Sequence, residues 1–441
     1  MSSYKTRKTP GNTEWFRHDR FGMFIHWGLY AMPARHEWIK SKEMMTDEHY
    51  QRYFDHFDPD MYDPKEWARQ AKAAGMKYVV LTTKHHEGFC LFDSKYTDFK
   101  STNTPCGKDL VREYVDAFRA EGLKIGFYYS LIDWHHEDFT IDSRHPKKML
   151  PDALEQNKTK DMRKYAEYMR NQVTELLTNY GKIHILWFDF SYKPEYGCPE
   201  FARFAGKGKE DWESEKLIET ARKLQPDIII DNRADIEQDL WTPEQYQPTE
   251  WVRHAETGEL VTWEACQTFS GSWGYYRDEM TWKSPEQLVG MLIKTVSLGG
   301  NLLMNVGPTA RGYFDHRAEA ALKVYADWMK YNSRSIYGCT MAEPSFKAPQ
   351  GCLLTQSEDE KRLYVHIMDY PFKALEIESL AGKIEYVQFL HDASELLYDE
   401  KQNVMTDGLT IEKVNESGKV TIFLPVVKPN ILFPTIEIFL K

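Results

Sequence analysis

Carboxylates, imidazoles, phenols and one guanidinium recur at the ends of apolar runs in this chain. The run Ile185-Leu186-Trp187-Phe188-Asp189 delivers a carboxylate to the end of an apolar stretch that starts at Ile183. Bounded by Gly181 on one side and Tyr192-Lys193-Pro194 on the other, it reads as a parallel strand buried on both faces. An unpaired charge in such a setting costs several kcal/mol, so Asp189 needs a partner or a task. A purely structural role, capping a helix or pairing with an arginine, is the competing reading. Its companions share the design. Phe21 to Ile25 ends in His26-Trp27-Gly28, and Lys77 to Thr83 ends in Lys84-His85-His86-Glu87. Leu123 to Phe127 runs into Tyr128-Tyr129-Ser130, and Asp227 to Ile230 into Asp231-Asn232-Arg233.

Sugar rings present apolar faces and hydroxyl edges, and pockets for them combine aromatic platforms with histidine, arginine and carboxylate hydrogen bonds. Trp27, Trp38, Trp134, Trp187, Trp241, Trp251, Trp263 and Trp273 crowd the polar strand ends, and about half of them are expected in the core. Glycoside hydrolysis needs two carboxyl groups, one to attack or activate water and one to protonate the leaving oxygen. Asp189 supplies the first. Glu244, Glu264 and Glu37 are candidates for the second, and spacing alone does not choose among them.

The elements that must position these groups alternate. Helical patterns cover Pro64 to Ala74, with Asp63 as N-cap, and Lys108 to Glu121. Asp161 to Tyr180 carries Met162, Tyr165, Met169, Val173, Leu176 and Leu177 near the helical repeat; Trp212 to Leu224, Ser284 to Leu298 and Asp315 to Tyr331 complete the series. Alternating strands and helices argue a (β/α)8-like TIM barrel, with His26, His85, His86, Tyr129, Asp189 and Arg233 all at the C-terminal ends of strands, where such barrels place their sites. A doubly wound open sheet is the alternative, but no glycine-rich phosphate turn follows the first strand, and Gly299-Gly300-Asn301 precedes a strand rather than opening a helix. After Gly338 short alternating runs, such as Arg362 to Ile367 and Ile436 to Leu440, indicate a small all-β domain that braces the barrel. The expected domains are 1–338 and 339–441.

The chain has 441 residues and a net charge of -11, with a mean hydropathy of -0.61, which argues against a nucleic-acid partner because phosphate contacts need a basic surface. No run approaches a membrane span, and Met1 to Lys8 lacks a signal-peptide core, so a cytoplasmic location is expected. Cys90, Cys106, Cys198, Cys266, Cys339 and Cys352 show no short paired spacing and are expected to be free thiols. The charged stretch from Lys207 to Lys216 reads as a solvated loop and helix entry.

These fragments, in their order, resemble the α-L-fucosidases of glycoside hydrolase family 29. The resemblance runs from about Glu14 to Gly338 through Gly22 to Gly28, His36-Glu37-Trp38, Lys84 to Phe89, Tyr128-Tyr129-Ser130, Leu186 to Asp189, Asn232-Arg233, Trp263-Glu264, Ser272 to Tyr275 and Gly299 to Pro308. It implies a catalytic (β/α) barrel followed by a C-terminal antiparallel β-sandwich. It further implies that Asp189 is the nucleophile of a retaining, two-step mechanism through a covalent fucosyl-enzyme. Glu244 ranks first as acid/base and Glu264 second. His26, Glu37, Trp38, His85, His86, Tyr129, Trp187, Arg233 and Trp273 would hold one terminal fucose, without metal or cofactor. The expected partner is a fucosylated oligosaccharide, with no nucleic acid or membrane and with a homo-oligomer allowed. Two positions depart from the family and are expected to reshape the aglycone side: Phe190 follows the nucleophile where glycine is frequent, and Ala234 follows Arg233 where an aromatic or small polar residue is common. A metal-dependent hydrolase using His26, His85, His86 and Asp189, and a non-catalytic fucose-binding protein, are the rival classes.

Overall fold

Strands buried on both faces pair in parallel when helices return the chain, and the computed structural model shows that architecture; it describes residues 4–194, 200–406, 409–413 and 417–441. Seven parallel strands form one curled sheet: β1 (Phe21–Ile25), β2 (Tyr78–Lys84), β3 (Lys124–Ser130), β4 (Ile185–Asp189), β5 (Ile229–Ile230), β6 (Glu264–Thr268) and β7 (Asn301–Val306), in the order β5-β4-β3-β2-β1-β7-β6. The outer helices start where short polar side chains satisfy orphan N–H groups. Asp63 accepts from the N–H groups of Lys65 and Glu66, Asp109 from Arg112, Asp161 from Arg163, and Asp315 from Arg317 and Ala318. Ser284 and Gln287 cap each other reciprocally ahead of Pro285–Ser297. The predicted Trp212–Leu224 helix is split, because Glu213 takes a positive φ of 46° between Lys209–Trp212 and Ser214–Leu224.

Alternation along each strand sorts side chains into two layers. Phe24, Tyr78, Val80, Tyr128, Ile185, Trp187, Ile229, Cys266 and Leu303 fill the inside of the curl. Met23, Ile25, Val79, Leu81, Phe127, Tyr129, Leu186, Phe188 and Met304 face the helices. Gly22 is required inside: a Cβ there would lie 2.3 Å from the Tyr78 ring.

Eight regular strands were expected; seven are present among the described residues. No helix follows β5. The segment from Leu240 to Glu244 crosses the gap instead, held by parallel bridges Asp231↔Leu240, Trp241↔Trp263 and Glu244↔Cys266. Pro243 has no N–H to donate, but its carbonyl accepts from Cys266 N (3.1 Å), and Gln245 N donates to the Cys266 carbonyl (3.1 Å). This irregular segment carries Thr242 and Glu244.

From Cys339 onward the sheets are antiparallel. One has five strands in the order β12 (Ile384–Phe389), β17 (Thr435–Leu440), β10 (Arg362–Ile367), β9 (Cys352–Ser357), β8 (Cys339–Met341). A second contains β11 (Ala374–Ile377), β16 (Val420–Phe423) and β13 (Tyr398–Asp399), and shares an apolar core with the first through Leu363, Val365, Leu375, Ile377, Val420 and Ile422. The hairpin β14 (Gln402–Thr406) and β15 (Leu409–Lys413) completes it. Buried Arg20 ties the two parts, donating to the carbonyls of Cys339 (2.7 Å) and Gly299 (2.8 Å), and Trp328 donates to that of Leu432 (2.9 Å). Lys207, expected in a solvated loop, is buried against Asp142. Cys198 lies outside the described residues; the other five cysteines are unpaired. No helix among the described residues is long and apolar enough to cross a membrane.

Candidate active site

The C-terminal ends of the parallel strands converge on a pocket of about 310 Å³, lined by Phe24, His26, Glu37, Trp38, His85, His86, Tyr128, Trp187, Asp189, Phe190, Glu244, Cys266 and Trp273. Asp189, the last residue of β4, is buried and does not stand unpaired. Its Oδ1 accepts from Arg233 Nη1 (2.9 Å) and its Oδ2 from the Tyr128 hydroxyl (2.8 Å), with His86 Nε2 at 4.0 Å. The same Nη1 reaches Glu244 Oε2 at 2.7 Å, so one nitrogen bridges both carboxylates. Arg233 is aimed by Thr242, whose hydroxyl and carbonyl accept at 2.9 and 3.2 Å, and its guanidinium lies 4.5 Å over the Trp187 ring.

Burial raises the Asp189 pKa above the usual aspartate value, and the Glu244 charge adds to this; Arg233, the Tyr128 hydrogen bond and His85 pull the other way. Glu244 differs in access, with 41% of its side chain exposed against 11% for Asp189. One carboxylate is sunk and the other sits at the mouth.

Two of the three histidines are anchored by hydrogen bonds at Nδ1, and the third faces a carboxylate there. His26 Nδ1 lies 2.6 Å from Asn305 Oδ1, and Asn305 Nδ2 donates to the Trp273 carbonyl (2.7 Å), so the amide oxygen must accept and the imidazole proton is on Nδ1. His86 Nδ1 lies 2.7 Å from Ser130 Oγ, whose own proton goes to the Ile132 carbonyl (2.7 Å), which again places the proton on Nδ1. His85 Nδ1 faces Glu87 Oε2 at 3.3 Å. Burial, with the His85 charge second, drives the pKa of His26 and of His86 well below the ordinary imidazole value, so both are neutral acceptors at Nε2. Glu37, buried, accepts from Gly274 N (2.9 Å), and Trp38 packs edge-on against His86 at 4.7 Å. Such a set matches hydroxyls all round a small ring.

Two expected residues lie elsewhere. Tyr129 points away from the pocket: its hydroxyl donates to Gln172 (2.7 Å) and its ring stacks on the buried Lys84 ammonium (4.3 Å). Tyr128, its neighbour, is the one inside, because adjacent residues on a strand face opposite layers. Glu264 opens β6, so its side chain sits a layer below the pocket, fully buried. The Tyr78 hydroxyl (2.5 Å) and Trp187 Nε1 (3.4 Å) donate to it, and burial without a cation raises its pKa to about 8. Phe190, expected on the aglycone side, lines the pocket, and Phe24, Tyr128 and Cys266 line it without having been expected there; Tyr128 and Phe24 lay within quoted motifs, but nothing in their type separates them from core. Phe190 takes a positive φ of 79°, a conformation that favours glycine, and its ring meets His86 at 4.8 Å and Trp38 at 5.1 Å. Among the described residues, no group of three or more histidine, cysteine or acidic side chains is arranged to share a metal ion.

Buried and mouth carboxylates sharing one guanidinium, at strand ends walled by aromatic rings, define a glycoside hydrolase. The α-L-fucosidase family model matches residues 2–334, and the chain belongs to that family, glycoside hydrolase family 29. It is 29% identical over 408 residues to human plasma α-L-fucosidase, covering 84% of this chain and 78% of that one. It is similar to α-L-fucosidase isoenzyme 1 of Paenibacillus thiaminolyticus, with 42% identity, a TM-score of 0.87 and coverage of 97% of this chain and 98% of that one. A Bacteroides thetaiotaomicron α-L-fucosidase trapped as a covalent intermediate with 2-fluoro-fucosyl fluoride superposes with a TM-score of 0.79 at 25% identity, covering 100% and 98% of the two chains. The protein is an α-L-fucosidase acting on fucosylated substrates.

Proposed function

We propose that this enzyme removes a terminal α-linked L-fucose with retention of configuration, Asp189 acting as nucleophile and Glu244 as acid/base. The observation that carries the reading is the shared Arg233 Nη1: bonds of 2.9 and 2.7 Å to one atom hold one oxygen of each carboxylate no more than about 5.6 Å apart, a short spacing that favours direct attack by one carboxylate. Retaining glycosidases keep their carboxyl groups about 5–5.5 Å apart, and inverting ones about 6.5–9.5 Å. The small pocket, open at the Glu244 end, supports exo action on a single ring.

In the first step Asp189 attacks the anomeric carbon, the glycosidic C–O bond breaks, and Glu244 gives its proton to the departing oxygen. In the second, Glu244 takes a proton from water, whose oxygen attacks the anomeric carbon; the ester bond breaks and Asp189 is again a carboxylate. Tyr128 and Arg233 aim Asp189, and the neutral His26 and His86 accept sugar hydroxyl protons. Because Asp189 must be ionised to attack, activity falls as pH drops through its raised pKa.

The test is to treat the protein with 2-fluoro-fucosyl fluoride and locate the adduct by peptide mass. A stable ester on Asp189 is expected. An adduct on another residue, or turnover with inversion seen by NMR, rules the assignment out. Release of nitrophenol from 4-nitrophenyl α-L-fucoside after exhaustive chelation is expected in full; recovery only on adding metal would favour a metallohydrolase. We further take the Leu240 to Glu244 segment as the eighth stave of a (β/α)8 barrel, and 339–441 as a bracing β-sandwich domain.

A further inference from the structure

Glu87 is a carboxylate with no use in the mechanism above. Its residue is 1% exposed, and neither carboxylate oxygen has a hydrogen-bond partner among the described residues. Facing it, His85 Nδ1 stands 3.3 Å from Oε2, off the line of a directed hydrogen bond. The other groups facing it are Tyr30 and Tyr50, both of which feel its charge. Lys84, next to His85 in sequence, is turned away onto Asp133 at 3.0 Å.

A carboxylate buried without water or a cation is costly, and a facing imidazolium removes most of that cost. His26 has an amide oxygen at Nδ1 and His86 has a hydroxyl, whereas His85 alone has a carboxylate. Around the His85 ring stand His86 at 3.9 Å, Tyr30 at 5.1 Å, His26 at 5.7 Å and Tyr128 at 5.8 Å, with Asp189 close enough to feel its charge. One cation among two neutral imidazoles is the arrangement that these partners permit.

We propose that Glu87 is a positioning residue that holds His85 as an imidazolium, so that His85 Nε2–H donates to a sugar hydroxyl while the neutral His26 and His86 accept. The pocket thereby reads its ligand with one fixed donor and two acceptors. The inference rests on the fucosidase reading of the pocket.

The test replaces the charge and keeps the shape, with Glu87→Gln. Fucose affinity by calorimetry and KM and kcat on 4-nitrophenyl α-L-fucoside are measured at about pH 8 and about pH 5, either side of an ordinary imidazole. At the higher pH the variant is expected to bind fucose roughly tenfold more weakly or worse, with KM moving more than kcat. The loss persists at the lower pH, because burial keeps an imidazole without a counter-charge neutral here, as it does His26 and His86. No loss at either value overturns the proposal. A His85→Gln, Glu87→Gln double variant is expected to match His85→Gln alone, and additive losses overturn it. Nitrogen-15 labelling of histidine in the unmutated enzyme gives a readout that needs no Glu87 variant to fold. A doubly protonated ring at about pH 7.5, assigned by its loss in His85→Gln, is expected, and its absence counts against the idea. If the fucosidase reading itself fails, wild type does not bind fucose; failure of this inference leaves wild-type binding intact.

Discussion

Two layers of the curled sheet contain the same kinds of side chain and behave oppositely. In the upper layer Asp189 meets Arg233, Tyr128 and Glu244; in the layer beneath, Glu264 meets only the neutral donors of Tyr78 and Trp187. Trp187 touches both, its ring under the guanidinium and its Nε1 on Glu264. Both carboxyls are buried and both are raised, but among the described residues only the upper one has a cation within reach. The lower carboxyl, its pKa raised by burial to about 8, favours its protonated form at neutral pH. Burial alone favours the neutral carboxyl, and a guanidinium beside it favours the charged form that the nucleophile proposed for Asp189 needs.

Removing the upper carboxylate should have the largest effect. Asp189→Gly is expected to cut kcat by roughly a thousandfold or more, with part of the activity returned by added azide as a substitute nucleophile. Glu244→Gly should lower kcat/KM by about 10²–10³ for fucosides with poor leaving groups and far less for aryl fucosides that leave unaided. If Glu264→Gly shows that selectivity and Glu244→Gly does not, the assignment of layers is wrong. Tyr128→Phe removes a hydrogen bond to a charged oxygen and should cost about tenfold in kcat, against almost nothing for Tyr129→Phe. Equal effects of the two would collapse the distinction between inner and outer faces.

The smallest catalytic effect is expected from Glu264→Gln, within about threefold at neutral pH. Its signature is stability. The folded-state pKa of Glu264, about 8, lies above its ordinary value, so the folded protein binds the extra proton across that interval. Its contribution is therefore complete below the ordinary glutamate range and is lost as pH rises towards 8. A neutral glutamine has nothing to lose, so the variant's Tm should fall less than wild type's between about pH 5 and pH 9. Parallel Tm curves would show that Glu264 has an unrecognised counter-charge.

Much of this was legible beforehand. The strands β1 to β4 lie where their apolar runs stand, and the outer helices begin at the aspartates and serine that cap them. His26, Glu37, Trp38, His85, His86, Trp187, Asp189, Arg233, Glu244 and Trp273 come together at one end of the sheet. The Leu240 to Glu244 segment was not legible, because it owes its extended course to bridges with Asp231, Trp263 and Cys266 rather than to its own pattern. The strain at Phe190 was visible only as a residue out of place, and the backbone supplies the reason.

By itself, then, the sequence determined which chemistry could be assembled: carboxylates, imidazoles and indoles at the ends of apolar strands. Only the tertiary structure decided which member of each close pair faces the pocket. A strand covered on both faces is apolar on both, so Tyr128 and Tyr129 look alike until the register of β3 between β2 and β4 turns one inward. Glu244 and Glu264 look alike until height along the sheet puts one at the mouth beside Arg233 and the other beneath it, where no cation reaches.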